Sequence, residues 1–261
     1  MNFRYAAVVV LGLAALCARA ADVGQGASAP TASTSAPAQT ASGPTPFPKD
    51  AKDWPGKGAI RVFGYMNEYR NSYWRERERK QGSVVFVGDS LVGGWQSLAE
   101  DLPGVPVANR GIGGEPTRVL LFRFKEDVLD LHPKAIVLLS GTNDLSAQQD
   151  IAQTRSNLVD MLAMAAHTLP GVPVILCTLP PRNAAQAPID PNRLIELNKL
   201  IVSLADERTH VVVLDLYALV ADPDGAPHAE YFGGDKLHLS RAGQKRWRDA
   251  LVPILKRFNL G

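Results

Sequence analysis

The chain has 261 residues, 46% hydrophobic and 21% charged, with 28 Lys and Arg against 26 Asp and Glu for a formal net charge of +2. That length holds one α/β unit with a substantial core, or two small ones. The near-balanced charge excludes the basic footprint of a nucleic-acid partner, and the most basic stretch, Arg75–Lys80, alternates with Glu and reads as a solvated helix face.

Residues 1–20 have the build of a secretory signal peptide. Arg4 supplies the positive start, Ala6–Leu16 the apolar run, and Ala18-Arg19-Ala20 a small-x-small cleavage site. The run is too short for a permanent membrane span. Cys17 follows the bulky Leu16, where a lipoprotein signal wants a small residue, and cleavage after Ala20 removes it. Cys177 is then unpaired, and its apolar strand context predicts a buried, inert thiol. The expected destination is the periplasm or the exterior. Residues 21–48 are Ala, Ser, Thr, Gly and Pro with hardly a charge, and are expected to form a disordered linker. The folded domain is expected over 49–261.

Within that domain a helix near Met66–Gln81 precedes the first strand and is expected to pack across the sheet. Five short apolar segments read as strands: Ser83–Val87, Pro106–Asn109, Ala135–Leu139, Val174–Thr178 and Val211–Leu214. The first, third and fourth are continuous apolar runs, as strands covered on both faces require. Helical spacing of apolar residues marks Arg118–Leu131 and Ile151–Leu169, and a third helix, Asn192–Arg208, follows a proline suited to a helix start. Alternating strands and helices predict a parallel sheet with right-handed crossovers, helices on both faces, and a site at the C-terminal ends of the strands.

The segments that follow those strand ends carry the chemistry. Gly88-Asp89-Ser90-Leu91 follows the first strand, Asn109-Arg-Gly111-Ile-Gly113-Gly114-Glu115 the second, and Gly141-Thr142-Asn143-Asp144 the third; Asp235-Lys-Leu-His238-Leu-Ser240 precedes the last helix. A serine hydroxyl attacks an acyl carbon only with a base in reach and a third group holding that base. Ser90, His238 and Asp235 fit these three roles. The backbone N–H groups of Ser90 and Gly114 and the side-chain amide of Asn143 fit an oxyanion hole. Such neutral donors need neither metal nor cofactor, and no His/Cys/Asp cluster has zinc-like spacing.

In these four blocks, taken in order, the sequence resembles the SGNH (GDSL-like) hydrolase superfamily, and within it the bacterial relatives of platelet-activating-factor acetylhydrolase catalytic subunits. The Asn-x-Gly-Ile-Gly-Gly-acid turn and the Leu179–Arg182 loop carry the closer likeness. The resemblance implies a flavodoxin-like three-layer α/β/α sandwich with a five-stranded parallel sheet. It implies Ser90, Gly114, Asn143 and His238 as signature residues, with Asp235 completing the triad. It also favours Gly114 over Gly113 as the oxyanion donor, because the family donor directly precedes the acidic residue, and it makes Asp89 a local brace.

Other residues keep two readings. Arg182 either contacts substrate or forms a surface salt bridge. Tyr231 and Phe232 either wall the acyl pocket or pack their loop. His228 is the rival base; Asp144 and the remaining histidines read as structural. The Gly111-Ile-Gly113-Gly114-Glu115-Pro116 run is no dinucleotide site, since Pro stands where a third Gly belongs. The expected function is an exported serine esterase acting on a carboxylic ester, short-chain acyl or acetyl, of a small molecule or a polysaccharide. An acyltransferase passing acetyl to glycan hydroxyls uses the same residues, and a non-catalytic envelope glycan-binding module is the reading from another class. Oligomeric state has no signature in the sequence.

Overall fold

The computed structural model describes residues 43–261, apart from Glu207. Five strands, β1 (Val84–Gly88), β2 (Val107–Gly111), β3 (Ala135–Leu139), β4 (Val174–Cys177) and β5 (Val211–Leu214), form one parallel sheet in the order β2-β1-β3-β4-β5. Strands β1, β3 and β4 are buried at every residue, as their unbroken apolar sequences require. The expected strand limits hold to within two residues, and the expected α/β architecture is the one observed.

The strand order fixes the layers. The connection from β1 to β2 runs toward one edge of the sheet, while those from β2 onward run toward the other. With right-handed crossovers, their helices lie on opposite faces. The first connection holds α2 (Ser90–Gly93) and α3 (Leu98–Asp101). The later ones hold α4 (Thr117–Asp127), α5 (Thr142–Ser146), α6 (Ile151–Thr168) and α7 (Pro191–Ser203). After β5 come the short α8 (Leu216–Val220) and the long α9 (Arg241–Arg257). The buried side chains of α9, Trp247, Leu251 and Leu255, recur every fourth residue and form one stripe. Trp247 packs on Trp95 at 5.0 Å, and Trp95 stands edge-on to Phe86 at 5.9 Å, so α9 covers the same face as α2. Asp150 caps α6, and Asp190 with Pro191 starts α7. Among the described residues no helix is long and apolar enough to cross a membrane.

Two expectations need correction. The helix before β1, here α1 (Gly64–Glu76), does not lie across the sheet. It docks on α4 through Arg70 and Asp127 (3.4 Å), and on the end of β2, where the Tyr73 phenol donates to the Gly111 carbonyl (2.8 Å). A polar helix of this kind has too narrow an apolar stripe to cover a sheet. The linker boundary also moves: Phe47 stacks on Trp54 and meets Phe122, both at 5.6 Å, and the Pro48 carbonyl accepts from the Trp54 indole. The expected signal peptide and the first part of the expected linker lie outside the described residues. Cys177 is buried without a disulfide, and burial pushes its thiol pKa well up.

Candidate active site

Strand register brings the motif blocks to one rim. Gly88 of β1 lies level with Gly111 of β2 and Leu139 of β3, so residues 89–90, 112–115 and 140–143 leave the sheet side by side. This is the point where the strand order reverses, the usual place for a site in an open α/β sheet. The turn into α2 is tight. A Cβ at Gly111 would stand 2.2 Å from the Gly93 amide nitrogen and 2.8 Å from the Asp89 carbonyl oxygen, so only glycine lets β2 approach the Ser90 turn.

Asp89 caps α2. Its Oδ1 accepts from the Leu91 N–H (3.0 Å), while Oδ2 is buried with no protein partner. Burial pushes its carboxyl pKa up to about 7, against the pull of the Leu91 hydrogen bond. Asp89 is therefore the local brace that the resemblance implies. It leaves Ser90 at the first position of α2, half-buried at the rim.

The base arrives from the far end of the chain. The Ser90 hydroxyl lies 2.8 Å from His238 Nε2, and His238 Nδ1 lies 2.6 Å from Asp235 Oδ2. The other carboxylate oxygen of Asp235 accepts from the backbone N–H groups of Leu237 and His238, both at 3.0 Å. One carboxylate thus holds both the loop and the ring, and fixes Nδ1 as the protonated nitrogen, which leaves the Nε2 lone pair for the serine proton. Burial tends to raise the Asp235 pKa, but the hydrogen bonds from the His238 ring and the two N–H groups outweigh it and hold the carboxyl at about 2. The loop is anchored from behind. Ser240 caps α9, and Arg241 pairs with Asp101 of α3, which also accepts from the Trp95 indole (2.7 Å). His228, the rival base, instead stacks on Tyr231 at 4.6 Å and lies 3.7 Å from Asp222.

The expected oxyanion donors Gly114 and Asn143 sit on the β2 and β3 loops. A Cβ at Gly113 would come 3.6 Å from that of Ser90, which places the glycine pair against the nucleophile. Gly114 has φ +75°, a left-handed conformation suited to glycine. The Asn143 amide donates one hydrogen toward the Glu115 carbonyl (3.2 Å), which orients it and leaves its second N–H for a ligand. Asp144 is structural: it accepts from the N–H of Thr117 (2.9 Å) and the amide of Gln149 (3.0 Å), and so pins α5 to the start of α4. Burial raises its pKa to about 6 against the hydrogen bonds from the Thr117 hydroxyl and N–H and from Thr154.

Three expected contacts have other duties. Arg182 is buried and donates to Thr142 Oγ1 (2.9 Å) and the Ala187 carbonyl, tying the β3 and β4 loops together; it is neither a surface salt bridge nor an open arm toward substrate. Phe232 belongs to the main core and bridges to Leu239, and Tyr231 packs the loop against His228.

Sequence reasoning missed what stands behind the glycine loop. Arg123 of α4 is fully buried and binds both oxygens of Glu115 (2.7 and 2.6 Å), Asp127 (3.3 Å), and the carbonyls of Arg110 (2.8 Å) and Gly88 (3.4 Å). It therefore joins the end of β1, β2 and the oxyanion loop. Phe63 and Tyr65 cover the loop's outer side, their rings stacked at 5.5 Å. The one signal for this network in the sequence is the acid of the Gly-Gly-Glu turn, which the triad itself does not use.

A family model described as GDSL-like lipase/acylhydrolase matches residues 82–246. The α2 subunit of platelet-activating factor acetylhydrolase IB from Rattus norvegicus is 28% identical over 210 residues, covering 77% of this chain and 86% of that protein. A lipase/acylhydrolase structure from Enterococcus faecalis aligns with a TM-score of 0.56 at 27% identity, over 68% of this chain and 96% of its own. A GDSL-like lipase from Bacteroides thetaiotaomicron shares the fold at TM-score 0.65 and 24% identity, over 74% and 98%.

Proposed function

The chain belongs to the GDSL-like lipase/acylhydrolase family, a serine ester hydrolase family, and on that premise we propose an exported esterase that removes short acyl groups, above all acetyl, through an acyl-serine intermediate. The observation that carries this reading is the continuous chain from Ser90 Oγ to His238 (2.8 Å) to Asp235 (2.6 Å). Ser90 attacks the carbonyl carbon as its proton passes to His238 Nε2. The negative charge then growing on the carbonyl oxygen meets the N–H groups of Ser90, Gly114 and Asn143. His238 returns the proton to the departing alcohol, and water repeats the sequence on the acyl-serine.

Two observations support a small acyl group on a larger alcohol. The His238 and Asp235 side chains are about two-fifths exposed, so the site is an open rim rather than a covered channel, whereas a long acyl chain gains affinity by leaving water. The platelet-activating factor relative is, by its name, an acetylhydrolase. Export rests on residues 1–20 alone.

A fluorophosphonate should label the folded wild-type protein and spare Ser90→Ala. In a p-nitrophenyl ester series, kcat/KM should be highest for acetate and fall with acyl length. An unlabelled wild type would overturn the serine mechanism; a preference for long chains would overturn the acyl assignment alone.

A further inference from the structure

We propose that Tyr65 is a positioning residue for the oxyanion site: by donating its phenol to the Gly113 carbonyl, it sets the direction of the Gly114 N–H. The inference deepens the esterase reading and rests on Gly114 as an oxyanion donor.

The bond is 3.0 Å long, so the Gly113 carbonyl faces α1. No cis peptide bond occurs among the described residues. In a trans peptide the C=O of one residue and the N–H of the next point in opposite directions. The Gly114 N–H therefore points away from α1, and the neighbouring contacts show what lies there. A Cβ at Gly114 would meet the Phe63 ring at 3.0 Å and the Tyr65 hydroxyl at 3.2 Å, whereas one at Gly113 would face Ser90. The glycine pair is clamped between α1 and the nucleophile, with its carbonyl toward the helix and its N–H toward the reaction.

An external anchor matters at this place. A peptide flanked by two glycines has few steric barriers of its own, so nothing local selects its orientation. Tyr65 is itself held in place. It stacks on Phe63 with 12° between the ring planes, and Tyr69 meets it edge-on at 6.3 Å. Tyr73, further along the same helix, grips the Gly111 carbonyl in the same way. Partial burial and the neighbouring Tyr69 raise the Tyr65 pKa, which keeps the phenol a donor through the neutral range.

Tyr65→Phe keeps the ring and removes only the donor, at a residue 42% exposed, so the fold should persist. With p-nitrophenyl acetate, kcat should fall about 10-fold while KM stays within about twofold, part of the loss expected for deleting a whole oxyanion donor. Phenylboronic acid, which forms a tetrahedral adduct on the serine, should lose affinity by the same factor. Amide hydrogen exchange at Gly114 should quicken. Wild-type kcat and boronate affinity would overturn the proposal. So would a rise in KM alone, which would make Tyr65 a substrate contact. If the esterase reading itself fails, the wild type will not react with a fluorophosphonate. Gly114 exchange still reports on the anchor in that case, and unchanged exchange would overturn it independently.

Discussion

Ser90 is served by two charged assemblies built in opposite ways. The Asp235–His238 pair stands about two-fifths exposed on a loop. Arg123, Glu115 and Asp127 are sealed in at 0–3% exposure. The first can exchange a proton with a substrate but, half in water, adds little to stability, as exposed pairs generally do. The second cannot touch substrate. Its charges hold one another: burial alone would lower the Arg123 pKa, but the facing carboxylates raise it, so the guanidinium stays charged. Its hydrogen bonds to Gly88, Arg110 and Glu115 hold the floor of the oxyanion loop. Chemistry is thus placed where charge is free to change, and geometry is held where it is not.

Variants should separate the two. Ser90→Ala or His238→Ala should lower ester turnover by on the order of 10⁴-fold or more, because the triad acts as a unit. Urea denaturation of the same variants should give wild-type midpoints; a folded variant with near-wild-type turnover would refute the triad. Arg123→Met should act first on stability, and on turnover only through the glycine loop it supports. Leaving Glu115 buried without its partner, and Asp127 with Arg70 alone, should destabilise the protein by roughly 3–5 kcal/mol. A loss under about 1 kcal/mol would show that the network is dispensable to the fold.

The subtlest contrast lies in pH. Asp89 is raised to about 7 in the folded protein, above the roughly 3.9 of an unfolded Asp. The folded state then holds the extra proton, so the contribution of Asp89 to stability is full below about pH 4 and is lost as pH rises toward 7. Asp235, held at about 2, has the opposite sign: its contribution is present above about pH 4 and disappears as pH falls through 2. Asp89→Asn, which can still accept from the Leu91 N–H, should remove the Asp89 share of the decline between pH 4 and 7 and leave that of Asp144. Thermal melts across that range will show the change, and equal slopes in variant and wild type would rule out Asp89 as the titrating group.

Much of the site is legible in the sequence because its parts are local. Asp89, a brace by the resemblance, accepts from an N–H two residues on, and Asp235 lies three residues before the ring it orients. Arg182 is not legible in this way, because its position after β4 predicts a place on the rim but not whether its guanidinium turns outward or into Thr142. Arg123 and Asp127 sit one turn apart on α4 and look like an ordinary surface pair until the helix is docked.

The sequence by itself determined the alternation of strands and helices, the parallel sheet, and the four blocks at its rim. Those signals are periodicities of two and 3.6 residues and turn chemistry, all carried by near neighbours in the chain. Only the tertiary structure decided that α1 braces the glycine loop instead of crossing the sheet and that Glu115 meets Arg123 in the protein interior. These are pairings between elements, set by how helices and loops dock, and residues as far apart as Tyr65 and Gly113 carry no record of that docking in their local pattern.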